Sequence, residues 1–241
     1  MMGVDVFAYF DCNATTPVEP EVAEVVQRYL CKEYGNAGSA SHAYGWTARC
    51  AVDKARRQVA EVIACEANDV VFTSGATESN NLAILGMVSY AAESHKRHIV
   101  TTTIEHKAVL EPVRRLAAKH GFEITWISPD ARGCIRASDV LEAIRPDTVL
   151  ISVMQVNNET GAIQPVDEIA DGLQDKSAYF HVDAAQGFGK CLEPLRNRRI
   201  DLISVSGHKL FAPKGIGAMI ARTCDGRRAP LTPLMYGAAR S

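Results

Sequence analysis

No stretch of this 241-residue sequence approaches the eighteen or so consecutive apolar residues of a membrane-spanning helix. Met1 to Phe10 also lacks a basic segment followed by a long apolar one, so a cytoplasmic protein without membrane contact is expected. Excess charge is missing too. The 26 Lys and Arg against 28 Asp and Glu leave a formal net charge of -2, which provides no basic footprint for nucleic acid. The seven cysteines (Cys12, Cys31, Cys50, Cys65, Cys134, Cys191 and Cys224) form no CxxC pair, and their odd number suits reduced thiols better than a disulfide frame or a zinc site. Neither GxGxxG nor GxxxxGK[ST] occurs, which removes the usual support for a nucleotide. Repeats, low-complexity tracts and long charge runs are absent, so no flexible linker divides the chain.

What is present is a soluble composition, 47% hydrophobic and 22% charged, long enough for one large core or a core with a small appendage. Glu19 to Tyr34 and Gly45 to Ala64 read as amphipathic helices. From Asp69 onward, short apolar runs alternate with helical patterns. Val70–Phe72 precedes a helix over Glu78 to Glu93, His98–Thr102 precedes one over Lys107 to His120, and Glu123–Ile127 precedes one over Ser138 to Arg145. Val149–Gln155 then precedes a helix over Val166 to Gln174, and the runs Tyr179–Asp183, Leu202–Ser206 and Ile216–Ala221 follow. This alternation predicts an α/β fold with a mostly parallel sheet covered on both faces, and in such sheets ligands sit beyond the carboxyl ends of the strands.

The residues just after each strand are therefore the informative ones. After Leu202–Ser206 come Gly207, His208 and Lys209; desolvation at a strand end lowers a lysine pKa toward the nucleophilic amine that forms Schiff bases. The turn Thr73-Ser74-Gly75-Ala76-Thr77 leads into a helix, and its free N–H groups and hydroxyls suit a phosphate; a plain N-cap by Thr77 or Ser74 is the alternative. His106 stands at another strand-to-helix junction, either to stack on a flat ring and move protons or simply to cap the helix. Asn157-Asn158 before Gly161 offers amide donors, or only a turn. Asp183, with Gln186 after it, puts a carboxylate at the end of an apolar strand, which is costly without a cation such as a protonated pyridine nitrogen; a metal-binding Asp is the alternative. Phosphate cup, stacking His, Asn, Asp and Lys together match pyridoxal 5'-phosphate.

These residues, with Asp11 and Ala14-Thr15-Thr16-Pro17, Tyr34-Gly35-Asn36, His42, Gly45, Glu105-His106-Lys107-Ala108-Val109 and His181-Val182-Asp183-Ala184-Ala185-Gln186, resemble the cysteine desulfurases related to NifS and IscS. These are class V members of the fold-type I pyridoxal phosphate enzymes. The resemblance implies a three-layer α/β/α sandwich. It implies a Schiff base at Lys209, Asp183 on the ring nitrogen, and Gln186 and Asn158 on the ring's oxygen side. Ala76, Thr77, Ser206 and His208 would hold the phosphate, and His106 would stack and act as acid or base. It further implies a homodimer that converts L-cysteine to alanine and passes sulfur, as a persulfide on an enzyme cysteine, to an acceptor protein. Iron-sulfur cluster assembly, tRNA thiolation and DNA phosphorothioation are the destinations it leaves open.

By the same resemblance, 1–14 is an N-terminal segment and 15–241 the cofactor-binding large domain, with the C-terminal small domain absent. Two departures stand out. Ala37 replaces a frequent Pro, and the chain closes with Ala238-Ala239-Arg240-Ser241 before the expected Thr and the loop carrying the sulfur-accepting cysteine. A truncated homologue that binds the cofactor or a partner without catalysis, and a selenocysteine lyase or other class V enzyme, are the competing readings.

Overall fold

The computed structural model describes residues 8–224 and 226–237. Residues 1–7, the first half of the 1–14 segment, Asp225, and Ala238 to Ser241 therefore lie outside the described residues. In chain order the elements are α1 (Pro20–Cys31), α2 (Ala43–Val62), β1 (Val70–Thr73), α3 (Ala76–Leu85), α4 (Val88–Glu93), β2 (His98–Thr102), α5 (Lys107–His120) and β3 (Glu123–Ile127). Then follow α6 (Ala137–Glu142), β4 (Thr148–Met154), α7 (Val166–Asp171), β5 (Tyr179–Asp183), β6 (Leu202–Ser206), β7 (Gly217–Ala221), and a small hairpin of β8 (Thr223–Cys224) and β9 (Arg227–Arg228).

The first seven strands make one sheet in the order β1-β7-β6-β5-β4-β2-β3. From β6 through β5, β4 and β2 to β3 all pairings are parallel; β7 runs antiparallel to both its neighbours, β6 and β1. The central strands read as unbroken apolar runs because helices cover both faces. On one face Ile151, Val153, Phe180, Val182, Ile203 and Val205 pack with α2, α6 and α7 through Ala60, Val140 and Ile169. On the other, Ile99, Leu150, Leu202 and Met219 pack with α3 and α5 through Ala83, Ile84, Val109, Val113 and Leu116. The alternation of Leu150 and Ile151 between the two cores is the two-residue period of a strand. The three-layer sandwich expected from the sequence is thus present.

Two details differ. The helix expected over Glu78 to Glu93 is two helices, because the Thr232 amide donates to the Gly86 carbonyl at 2.9 Å and draws that carbonyl out of the helical ladder. The β8–β9 hairpin, with Gly226 at φ +75°, is too short to show a periodic pattern.

One close approach positions the ligand end of the sheet. A Cβ at Gly217 on β7 would stand 2.5 Å from the Gly75 Cα and 2.5 Å from the Val205 carbonyl oxygen, both of them backbone atoms unable to yield. Gly75 itself has φ +151°, a conformation that L side chains rarely adopt. Gly217→Ala should therefore lower the free energy of unfolding by about 1–3 kcal/mol. Urea denaturation measures this, and an unchanged midpoint would show that β7 and the Gly75 turn are not in contact.

Candidate functional site

The carboxyl ends of β1, β2, β4, β5 and β6 open into one cavity of about 790 Å³. Its wall carries every residue to which the family resemblance gave a cofactor role: Ala76, Thr77, His106, Asn158, Asp183, Gln186, Ser206, His208 and Lys209. Parallel strands with the same polarity deliver these side chains to one edge, although Ala76 and Lys209 stand 133 positions apart in the sequence, and nothing local would do so.

The turn after β1 is built by buried side chains below it. The Thr73 hydroxyl donates to the Gly75 carbonyl at 3.2 Å and is paired with the Ser79 hydroxyl at 2.9 Å. Gly75 is the N-cap of α3 and no side chain caps it, so neither Thr77 nor Ser74 plays the capping part considered as the alternative. The Ser74 amide donates to the Glu78 carboxylate at 2.6 Å. The first turn of α3, Ala76 and Thr77, faces the cavity with the positive end of the helix dipole.

His106 does cap. Its Nδ1 accepts from the Ala108 amide at 3.1 Å at the start of α5, while the ring lines the cavity. An accepting Nδ1 in a neutral ring leaves the proton on Nε2. Asn157 and Asn158 divide the two roles considered for them. Asn157 is buried and builds the turn, its Oδ1 accepting from the amides of Glu159 and Thr160 at 3.0 and 2.9 Å, and Asn158 is left on the cavity wall.

Asp183 is only 4% exposed. Its Oδ2 accepts from Asn80 Nδ2 at 2.7 Å and its Oδ1 from the Ala185 amide at 3.0 Å. Burial pushes its pKa up, against the pull of these two donors and of the His106 and Lys209 charges. Gln186 donates from Nε2 to the Asn13 carbonyl at 2.9 Å, and its buried Oε1 has no partner among the described residues. Lys209 is half-buried; burial lowers its amine below the ordinary lysine range, Asp183 opposes that, and Lys190 adds to it. His208 is lowered by burial and then by the charges of Lys209 and Lys214. Among the described residues no group of three or more His, Cys, Asp or Glu gathers in a metal-binding arrangement, so nothing completes a ligand set around Asp183.

Sequence reasoning gave no role to several residues that serve this cavity. Asn80, buried in the middle of α3, holds Asp183; an Asn inside a helix, where it is a poor former, is the signal that could have found it. Glu105, the residue before His106, is buried, its Oε1 accepting from the Thr102 hydroxyl at 2.7 Å and the Met154 amide at 2.8 Å. It thereby ties the ends of β2 and β4 together. Asp11, Asn13, Ala14 and Thr15 also line the cavity, so the N-terminal segment forms part of its wall.

A family model described as aminotransferase class V matches residues 8–240. Among curated proteins the chain is 49% identical to a cysteine desulfurase IscS of Shewanella sp. (strain MR-4), over 89% of this chain and 53% of that protein. It is 47% identical to a cysteine desulfurase of Mus musculus, over 89% of this chain and 46% of that protein. Among solved structures, DndA of Streptomyces lividans superposes with a TM-score of 0.86 at 49% identity, covering 96% of this chain and 64% of that one. SspA in complex with cysteine superposes at 0.89 with 41% identity, covering 95% and 65%. The chain spans about half the length of the curated relatives it matches.

Burial lifts the Glu105 carboxyl to about 8 from an ordinary 4.5, against the Thr102 and Met154 hydrogen bonds and with a further push from Asp183. A native pKa above the unfolded one means that the native state holds the extra proton between those values, so this group's stabilising contribution is lost as pH rises toward 8. Glu105→Gln keeps the acceptor and removes the titration. Relative to the parent, the variant should gain about 1 kcal/mol or more of unfolding free energy between about pH 5 and about pH 8. Urea denaturation at the two pH values reads the difference, and no gain would mean that the native carboxyl is already ionised at the lower pH.

Proposed function

The chain belongs to the class-V aminotransferase family, and from that premise we propose that it is the cofactor-binding portion of a cysteine desulfurase. Pyridoxal 5'-phosphate is the cofactor of this family. Several features of the cavity fit that molecule: an uncapped helix N-terminus beside Ser206 and His208 for a phosphate, a buried carboxyl on β5 for a ring nitrogen, an unpartnered Gln186 Oε1, and a half-buried amine. When bound, pyridoxal phosphate supplies an aldehyde for an amine and a ring that withdraws electrons.

In this reading each side chain has one task. The amides of Ala76 and Thr77, with Ser206 and His208, grip the phosphate, and the α3 dipole favours the negative charge. Asp183, fixed from two sides by Asn80 and the Ala185 amide, would hold a proton on the ring nitrogen, and that positive charge would favour the carboxylate. Asn158 and Gln186 orient the ring from its oxygen side. His106 would stack against the ring and would hold or move a proton at Nε2, since Nδ1 is committed to α5. Lys209, whose amine burial holds below the ordinary lysine range, would be the residue that holds the cofactor through its aldehyde. The observation that carries the proposal is this amine and the buried Asp183 meeting in one cavity from the ends of neighbouring strands β6 and β5.

The proposed overall reaction joins L-cysteine and an enzyme thiol to give L-alanine and a persulfide: the substrate's C–S bond breaks and a new S–S bond forms on the thiol. None of the seven cysteines lines the cavity, so no thiol of this chain is assigned that part. The residues 15–241 make up the large domain in this proposal. A homodimer is supported by the exposed aromatic side chains Tyr34, Tyr44 and Trp46, and a sulfur-acceptor protein by the chemistry of the product. Among the described residues no helix is long and apolar enough to cross a membrane, and the unpaired cysteines favour the reducing cytoplasm as the compartment.

The chain incubated with pyridoxal phosphate should develop a visible absorption band, and Lys209→Ala should abolish it. Asp183→Ala should retain the lysine bond but weaken cofactor affinity by about tenfold or more. A band that persists in Lys209→Ala would remove the lysine assignment and with it the proposed function.

A further inference from the structure

We propose that Thr16 is a positioning residue for Lys209, holding from the far end of the chain the turn that carries it. The inference rests on the reading of Lys209 as the cofactor's lysine. Between Ala8 and Tyr44, Thr16 is the one buried residue, at 4% exposure. Its amide donates to the His208 carbonyl at 2.8 Å, its hydroxyl donates to the same carbonyl at 3.0 Å, and that hydroxyl accepts from the Phe211 amide at 2.9 Å. The two residues it grips bracket Lys209. Thr15 adds a contact of its Oγ1 with His208 Nδ1 at 3.2 Å, and the Glu19 amide donates to the Phe211 carbonyl at 2.9 Å.

The turn needs such a clamp. Phe211 has φ +58°, a left-handed conformation that costs a residue with a Cβ about 1 kcal/mol or more, and its aromatic ring gains little in return because it is exposed. Within the turn, the Leu210 and Ala212 amides both donate to the Gly207 carbonyl, at 2.8 and 3.2 Å. These bonds leave the His208 carbonyl and the Phe211 amide to Thr16. Without its hydroxyl, the Phe211 amide has no protein acceptor in this arrangement, and the backbone on either side of Lys209 is free to relax away from Asp183. The clamp also accounts for the burial of a hydroxyl residue in a segment that is otherwise exposed.

Thr16→Val preserves the shape and removes the hydroxyl, whereas Thr16→Ser preserves the hydroxyl in a smaller side chain. Two measurements separate the proposal from the cofactor reading. Hydrogen–deuterium exchange without cofactor should be about tenfold faster over 207–212 in Thr16→Val than in the parent, with Thr16→Ser close to the parent. After incubation with pyridoxal phosphate and borohydride, peptide mapping should find Lys209 as the modified lysine in the parent and in Thr16→Ser, with its modification about tenfold lower in Thr16→Val at limiting cofactor. Parent-like exchange or parent-like labelling in Thr16→Val overturns the proposal. So does a Thr16→Ser that loses labelling, since packing rather than the hydroxyl would then be responsible. If the parent itself carries no label on Lys209, the cofactor reading fails, and the exchange comparison alone still decides whether Thr16 holds the turn.

Discussion

A carboxyl group buried at the carboxyl end of a central strand is the constraint on which the rest of the site depends. Asp183 stands on β5 with β4 on one side and β6 on the other, so it is almost wholly buried at the floor of the cavity and must be held by donors. Asn80 reaches it from α3, and the Ala185 amide reaches it from the turn that follows. Because Asn80 belongs to the helix whose first turn faces the cavity, the carboxyl and that turn are spaced by one rigid element. A shift of α3 would disturb both together.

The sheet beneath the site is pinned by buried polar pairs rather than by packing alone. His181, two residues before Asp183 on the same face of β5, is bonded through Nδ1 to the Ser152 hydroxyl of β4 at 2.8 Å and through Nε2 to the Ser204 hydroxyl of β6 at 2.9 Å. Burial lowers its pKa to about 3, so the ring is neutral and serves as a cross-strand tie. His98 does the same work between Thr148 of β4 and Thr125 of β3, at 2.7 and 2.8 Å. These ties set the relative heights of the strands whose ends carry Asn158, Asp183 and Lys209. With both ring nitrogens satisfied, such a tie fixes register where apolar contacts alone would tolerate a slip.

Much of the fold was legible in the sequence because its strands are short, fully buried at the centre of the sheet, and separated by clear helical periods. The runs His98–Thr102, Glu123–Ile127, Tyr179–Asp183 and Leu202–Ser206 coincide with β2, β3, β5 and β6, and the helix Lys107–His120 coincides with α5. The break at Gly86 was not legible, since its cause is a hydrogen bond from Thr232. At the site, the strand-end residues were legible by type and position. Asn80, Glu105, Thr16 and Gly217 were not, because what each does depends on a partner distant in sequence or on a backbone contact that no local pattern records.

The sequence by itself determined the element types, the two-sided burial of the strands, and the set of polar residues that follow them, because periodicity and turn chemistry are local properties of the chain. Only the tertiary structure decided the strand order, the antiparallel insertion of β7 between β1 and β6, and hence which strand ends are neighbours. It also decided that a threonine near the start of the chain closes on the turn of Lys209. Strand order and such long-range hydrogen bonds follow from the packing of both helical layers against one sheet at once, and no segment of the sequence encodes them alone.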